Sequence, residues 1–136
     1  MSDEITAMLH AGMPLTRTMG MAGVESTPER VVVDLEWSEH LLTTGGQLHG
    51  GALMALADSA GAGCAFMNLP DGASGTSTIE SKTNFLGPVR EGHAVRATAV
   101  PLHVGGTTIV VETELRVGER LVAKVTQTQA VLRPSG

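Results

Sequence analysis

The hydrophobic positions of the chain follow two patterns that predict different elements of secondary structure. Residues 31–37 alternate, with every odd-numbered side chain apolar, which predicts a strand with one buried face. Four further runs predict strands separated by short turns rich in Gly and charged residues: 76–85, 92–100, 107–117 and 120–132. Strict alternation within the first of these runs would place Thr78, Lys82 and Asn84 on the face opposite Ile79 and Phe85.

The stretch from Gly50 to about Phe66 is apolar nearly all round and predicts a buried helix rather than a surface one. Ten of its first sixteen residues are Gly or Ala, so the helix carries almost no side-chain bulk. Each interior Gly costs about 1 kcal/mol relative to Ala, and very close packing is the expected compensation. One strand, a crossover with this helix and an antiparallel meander together predict an α+β domain whose sheet wraps around the helix.

The ends of the chain carry weaker signals. Residues 1–18 predict an N-terminal helical segment, with a short helix over 3–13 capped by Ser2 or Asp3 and ended by Pro14. A loose connection is expected around Met19–Met21, and residues 133–136 are expected to form a frayed tail. The 136 residues therefore predict a single domain.

The composition argues against several classes of function. The chain has three aromatic residues and a net charge of −5, which disfavours a nucleic-acid or anionic membrane surface. Its one cysteine, Cys64, excludes an intrachain disulfide and fits a small core residue in a reducing compartment. No apolar run approaches the ~20 residues of a membrane span, and the N-terminus carries acids where a secretory signal carries positive charge. We expect a cytoplasmic protein without nucleic-acid or membrane partners.

Asp58 is a carboxylate in the middle of the apolar helix, a costly position unless the group is paired or used in chemistry. His49 stands nine residues earlier, at the helix entrance, and nine residues correspond to about two and a half turns. The two side chains therefore point to opposite sides of one helix. Two copies of the chain could bring the helix start of one against Asp58 of the other, so the spacing indicates a homodimer.

Two motifs carry a resemblance to a known family: LHGGALMALAD at residues 48–58 and TIESKTNFLGPVREG at residues 78–92. In both motifs the spacing closely resembles the PaaI-type acyl-CoA thioesterases of the hotdog fold. The resemblance implies an antiparallel sheet around one long central helix and a homodimer, usually paired into a homotetramer. It also implies hydrolysis of acyl- or aryl-CoA thioesters without a metal or cofactor, CoA being part of the substrate.

The same resemblance implies roles for individual residues. Asp58 would be the general base or the nucleophile, acting across the dimer interface, and Thr78 would support it. The Gly50 amide would bind the thioester oxygen, in keeping with the unpaired N–H groups and positive dipole of a helix start. His49 is expected to belong to the catalytic set, through a supporting hydrogen bond or in the chemistry itself, with a purely structural helix cap as the alternative.

Two positions depart from the family pattern. Thr43 stands where the family commonly has the Asn or Gln that orients the water or the thioester, and Gln47 lies close by in the sequence but out of register. Gly87 stands where many relatives carry an Arg, which leaves Lys82 and Arg90 as candidates for the CoA phosphates. The full set of expected substrate contacts is Gly51, Gln47, Lys82, Asn84 and Arg90.

No metal site is expected, because the other histidines lack metal-ligand spacing: His10, His40, His93 and His103. Two alternatives to a thioesterase stay open. One is a non-catalytic acyl-CoA binding module, which the Thr43 departure favours. The other is a hotdog hydratase or dehydratase acting on acyl thioesters.

Overall fold

The computed structural model describes residues 2–135. Residues 1 and 136, at the ends of the predicted segments 1–18 and 133–136, lie outside the described residues, as does the side chain of Ser2 with its predicted capping role. The helices are α1 (Ser2–Gly12), α2 (Pro14–Met19) and α3 (Gly50–Met67), with short 3-10 turns at Glu39–Leu41 and Thr44–Gly46. The strands are β1 (Met21–Ser26), β2 (Val31–Leu35), β3 (Gly75–Phe85), β4 (Val95–Val104), β5 (Thr108–Val117) and β6 (Arg120–Leu132).

All six strands belong to one sheet in the order β1-β2-β4-β5-β6-β3, and every neighbouring pair is antiparallel. Helix α3 packs on one face of this sheet, and both the helix and β4 contribute buried alanines to the core between them. Leu56, Ala57 and Ala60 on the helix are fully buried, as are Ala97 and Ala99 on β4. The predicted α+β arrangement, an antiparallel sheet around one long central helix, is confirmed.

Helix α3 has 18 residues and a mean hydropathy of 1.2, so by length and composition alone it could cross a membrane, and the expectation that no apolar run approaches that length is wrong. Half of it is buried within the described structure, against the sheet, which is the position of a core helix. Its missing bulk therefore serves close contact with the strands, as the Gly and Ala content predicted.

The N-terminal region differs from the sequence prediction. Pro14 ends α1 but also begins α2, because a proline at the first helical position loses only an amide that would be unpaired anyway. The expected loose connection at Met19–Met21 contains the end of α2 and the start of β1, an edge strand whose alternation is broken by a bulge between Gly23 and Glu25. Because the bulge interrupts the alternation of side chains, the sequence pattern did not indicate this strand.

Strand β3 also contains a bulge, between Thr78 and Glu80. Side chains before and after the bulge therefore do not follow one strict alternation between the two faces of the sheet. Thr78 pairs with Gln129 and Ser81 pairs with Gln127, so all four side chains lie on the face toward α3. The prediction that Thr78 shares a face with Lys82 and Asn84 is therefore wrong. The extra residue at position 79 shifts the alternation by one, and Ile79 is 63% exposed.

Candidate active site

Asp58 is partly buried on α3 and is hydrogen-bonded from the sheet beneath it. The Nε2 of Gln127 donates to Asp58 Oδ1 at 2.9 Å, and the hydroxyl of Thr78 donates to the same oxygen at 3.2 Å. Ser59 does not satisfy the carboxylate, because its own hydroxyl donates to the Ala55 carbonyl at 2.8 Å. Within residues 2–135 no donor is recorded on Asp58 Oδ2. One oxygen is thus fixed and the other is free for a ligand.

His49 is the N-cap of α3, in extended conformation, and its Nδ1 accepts the Gly51 N–H at 2.8 Å. The next two helical amides bond to the His49 carbonyl, at 2.9 Å for Ala52 and 3.2 Å for Leu53. In the part of the chain that is described, the Gly50 N–H has no acceptor. Capping therefore leaves one amide free at the positive end of the helix, and it is the predicted oxyanion donor.

The free amide lies at a surface depression of about 570 Å³. Thr43, Gln47 and Gly50 all line it, so three predicted site residues come together there. The ring of Phe85 covers Gly50 so closely that a Cβ on Gly50 would lie 3.1 Å from Phe85 Cζ. The remaining lining residues are Leu48, Leu53, Leu86, Gly87, Pro88 and Val89.

Positive charge near this depression comes from a residue that the sequence did not single out. A Cβ on Gly87 would lie 2.9 Å from Arg120 Nη1, so the Arg120 guanidinium lies at the rim beside Gly87. Arg90 is exposed and follows Val89, another lining residue. Lys82 donates to Asn84 Oδ1 at 2.8 Å, and both side chains lie on the outer face of the sheet, away from Asp58.

Most of the nine Lys and Arg side chains already have partners among residues 2–135. Six donate to a carboxylate, an amide oxygen or a backbone carbonyl: Arg30, Lys82, Arg96, Arg116, Lys124 and Arg133. In the same range no partner is recorded for Arg17, Arg90 or Arg120; Arg90 follows Val89 in the chain and Arg120 lies beside Gly87. Two of the three cations without a recorded partner in that range are therefore next to residues that line the depression.

A second cavity of about 500 Å³ lies between α1, the edge of the sheet and the C-terminal half of α3. Its walls are mostly apolar, with Met8 and Leu9 from α1 facing Ala62 and Phe66 of α3. Glu25 is the acidic exception, and its hydrogen bond with Arg30 lowers the pKa of that carboxyl. Ala62 is about one helical turn beyond Asp58, so this lining residue and the acid are separated by about 6 Å of rise along the helix axis.

The other candidate groups have ordinary structural roles. Cys64 is fully buried, and burial raises the pKa of its thiol to about 11, so it is protonated at neutral pH. His10 bonds to the Met21 carbonyl at 2.7 Å, joining α1 to β1. Across residues 2–135 no three His, Cys, Asp or Glu side chains are grouped as metal ligands.

Asp58 and the Gly50 amide belong to separate parts of one chain. Asp58 contacts β3 and β6, whereas the depression at Gly50 is lined by the loops before α3 and after β3 and does not include Asp58. This separation agrees with the predicted opposite directions of His49 and Asp58. In one copy of the chain, the acid and the free amide therefore belong to two separate sites.

Gln127 and Gln129 are the contacts of the acid that sequence reasoning missed. They are 0% and 1% exposed, and they alternate with Val125 on the face of β6 that meets α3. The alternation in residues 120–132 was itself a signal, because it put two glutamines in line with buried valines. Arg120 had no such signal, since its neighbour Gly87 is distant in the sequence.

Comparisons with known proteins agree with this fold. Residues 45–124 match the family model described as the thioesterase superfamily. The curated relative "Putative esterase ComA2" from Bacillus subtilis is 39% identical over 97 residues, which are 71% of this chain and 75% of the relative.

Two solved structures are also similar. Conserved protein PA5202 from Pseudomonas aeruginosa is 33% identical with a TM-score of 0.79, over 87% of this chain and 93% of its own. The phenylacetic acid degradation protein PaaI from Thermus thermophilus, solved as a point mutant, is 28% identical with a TM-score of 0.81, over 88% of this chain and 99% of its own.

Proposed function

Because the chain belongs to the thioesterase superfamily and has the hotdog fold of its PaaI-type members, we propose that it hydrolyses an acyl-CoA thioester to the free acid and CoA. The observation that carries the proposal is the Asp58 carboxylate, which is fixed through Oδ1 and free at Oδ2 on an otherwise apolar helix. In the general-base form, Oδ2 takes a proton from water as the water oxygen attacks the thioester carbonyl carbon. The C–S bond then breaks, and the CoA thiolate leaves and gains that proton. In the nucleophilic form, the carboxylate attacks the carbonyl carbon, and the C–S bond breaks to release the CoA thiolate and leave an anhydride. Water then hydrolyses the anhydride to the free acid and the Asp58 carboxylate, and a proton of that water passes to the thiolate.

The Gly50 N–H is the proposed donor to the thioester oxygen. It is unpaired within the described residues and lies at the first turn of α3, where backbone donors and the dipole favour a developing negative charge. The Phe85 ring beside it excludes water from one side of the site. Thr43 and Gln47 line the same depression and would contact the substrate or the attacking water.

Since the acid and the amide lie apart in one chain, we propose that a homodimer completes the site, with Asp58 of one copy facing Gly50 of the other. Strand β3 supports this assembly because it is an edge strand of 11 residues with one side unpaired in the sheet. Ile79 and Phe85 on this strand and Phe66 on α3 are each at least half exposed, which suits a dimer contact. Pairing of dimers into a tetramer stays a prediction.

The two cavities suit the two ends of an acyl-CoA. Arg120 and Arg90 are the cations proposed to bind the CoA phosphates, because no partner is recorded for either within residues 2–135 and each adjoins a residue that lines the depression. The apolar cavity beside α1 would hold the acyl group, which favours an aliphatic or aromatic acid over a charged one. Lys82, Asn84 and Gly51 stay predictions as substrate contacts, with Lys82 and Asn84 bonded to each other in the single chain.

A panel of acyl-CoAs with detection of the released thiol tests the proposal. We expect turnover of apolar acyl-CoAs by the wild type, and a loss of about 10²- to 10⁴-fold in kcat for Asp58→Asn. Full activity of that variant would refute the role of Asp58. Tight binding of intact acyl-CoA without turnover would instead select a binding module. Formation of an enoyl-CoA from a 3-hydroxyacyl-CoA would select a dehydratase.

A further inference from the structure

Asp58 terminates a directed chain of hydrogen bonds that begins on strand β6. Gln129 Nε2 donates to the Thr78 hydroxyl oxygen at 2.7 Å, and that hydroxyl donates to Asp58 Oδ1. Gln127 Nε2 donates to the same oxygen directly. A carboxylate only accepts hydrogen bonds, so the amide nitrogens of both glutamines are oriented toward the acid. Every proton in this network points toward Asp58.

Burial of the Gln127 side chain carries a free-energy penalty. The residue is 0% exposed, and its Oε1 has no hydrogen-bond partner within residues 2–135. An unpaired amide oxygen in a core is uncommon and calls for a reason, since an apolar side chain would fill the same space without this penalty. A requirement for the donor half of the amide, which reaches Asp58, supplies that reason.

Helix α3 is shaped to admit this side chain. Gly61 is three residues after Asp58, and a Cβ at position 61 would overlap Gln127 Oε1. The neighbouring Gly63 has no such constraint, because its Cβ would meet only Val31 Cγ1 at an ordinary 3.6 Å. The glycine at 61 therefore provides the space through which β6 reaches the acid.

We propose that Gln127 is a positioning residue for Asp58, admitted by Gly61 and supported by the Gln129–Thr78 pair. It is too deeply buried to touch a substrate, so it acts by fixing Oδ1 and thereby directing Oδ2 into the site. The inference rests on the proposed function for its kinetic consequence. Its geometric consequence, the orientation of the Asp58 carboxylate, is independent of that function.

The variant Gln127→Met tests the inference, because methionine has similar length and no donor. We expect kcat for an acyl-CoA to fall by about 10- to 100-fold while KM changes less than about threefold, since positioning affects the chemical step more than ground-state binding. Thr113→Val is the matched control. Thr113 is also fully buried on the adjacent strand and its hydroxyl is also unpaired within the described residues, yet no hydrogen bond joins it to Asp58. This control should keep the wild-type kcat.

Crystal structures of both variants give a readout that does not depend on activity. We expect the Asp58 carboxylate to turn away from its wild-type orientation in Gln127→Met and to keep it in Thr113→Val. A wild type without turnover would defeat the proposed function but not the orientation result. An active wild type with unchanged kcat in a folded Gln127→Met, or an unchanged carboxylate in its crystal structure, would overturn the positioning role.

Discussion

Gln127 Nε2 lies 2.9 Å from Asp58 Oδ1, which joins two residues that are 69 positions apart in the chain. Gln127 is on the penultimate strand of the sheet and Asp58 is in the middle of the central helix, so the contact fixes the helix to the sheet at the acid. The contact exists because Gly61 keeps the helix surface open beside it. The acid is consequently held from the sheet side through Oδ1, and no donor within the described residues bonds to Oδ2.

The Gly50 amide can be removed without adding a helix breaker. Position 50 is the first residue of α3, where proline is favoured, and His49 already has the extended backbone that precedes a proline. We expect Gly50→Pro to lower kcat by about 10²- to 10³-fold, the usual cost of one oxyanion donor. Gly50→Ala adds comparable bulk against Phe85 but keeps the N–H, so it should retain most of the activity. Equal rates for the two variants would eliminate the amide as donor.

If the active site is shared between two copies of the chain, mixing two inactive variants should restore part of the activity. Asp58→Asn and Gly50→Pro each damage a different half of the proposed site, so neither variant alone should be active. Unfolding and refolding an equal mixture should restore about a quarter of the wild-type rate, because half of the dimers are mixed and each contains one intact site. No recovery in a mixture that light scattering shows to be dimeric would place both groups in one subunit.

Alanine substitutions at Gly61 and Gly63 should have opposite effects on the free energy of unfolding. Gly61→Ala should lower the free energy of unfolding by about 1–3 kcal/mol, because the new methyl overlaps Gln127 Oε1. Gly63→Ala should raise it by up to about 1 kcal/mol, since its methyl fits and alanine favours the helix. Denaturant titrations of both variants measure the difference. Similar effects at the two positions would mean that Gln127 does not pack against Gly61.

Arg120 should act on binding of the CoA half of the substrate. We expect Arg120→Gln to raise KM by about tenfold with little change in kcat, as for loss of one charge-assisted hydrogen bond to a phosphate. Arg17→Gln is the control, because Arg17 is likewise unpaired within the described residues but belongs to α2. A thioester of N-acetylcysteamine lacks the phosphates, and its hydrolysis should be insensitive to Arg120→Gln. Equal sensitivity of both substrates would assign Arg120 a structural role.

The cap at His49 predicts a change in thermal stability. His49→Ala removes the acceptor of the Gly51 N–H and should destabilise the protein by about 1 kcal/mol. Asn is among the strongest N-cap residues, so His49→Asn should restore most of the loss. Melting temperatures at equal protein concentration measure both effects. A fully destabilised His49→Asn would show that the imidazole does more than cap the helix.

Burial of Cys64 predicts a loss of stability at alkaline pH. Its thiol pKa is about 11 in the folded protein, above the ordinary value of 9.0, so folding favours the protonated form. This contribution is fully present below pH 9 and is lost as pH rises toward 11. Between these values the free energy of unfolding should decline more steeply in the wild type than in Cys64→Ala. Parallel declines would mean that the thiol titrates normally in the fold.

The sequence by itself determined the central helix, five of the six strands and the unusual position of Asp58 as a charged residue on a buried helix. Each rests on a local pattern: a run of small apolar residues, a period of two, or one charged residue on a helix that carries no other charge. Such patterns predict the folded structure because the sheet needs one apolar face for the core and the helix needs small residues for close contact with the sheet. The position of Gly50 at a helix start was readable for the same reason, since capping involves adjacent residues.

Tertiary structure alone decided which distant groups meet. The bulges in β1 and β3 change which way side chains point without leaving a trace in composition, so the first strand was missed and Thr78 was assigned to the wrong face. Gln127 reaches Asp58, and Arg120 reaches Gly87, because strand pairing and helix packing bring them together. Periodicity describes the two sides of one element, whereas these contacts depend on the register between elements, which is fixed only when the whole core packs.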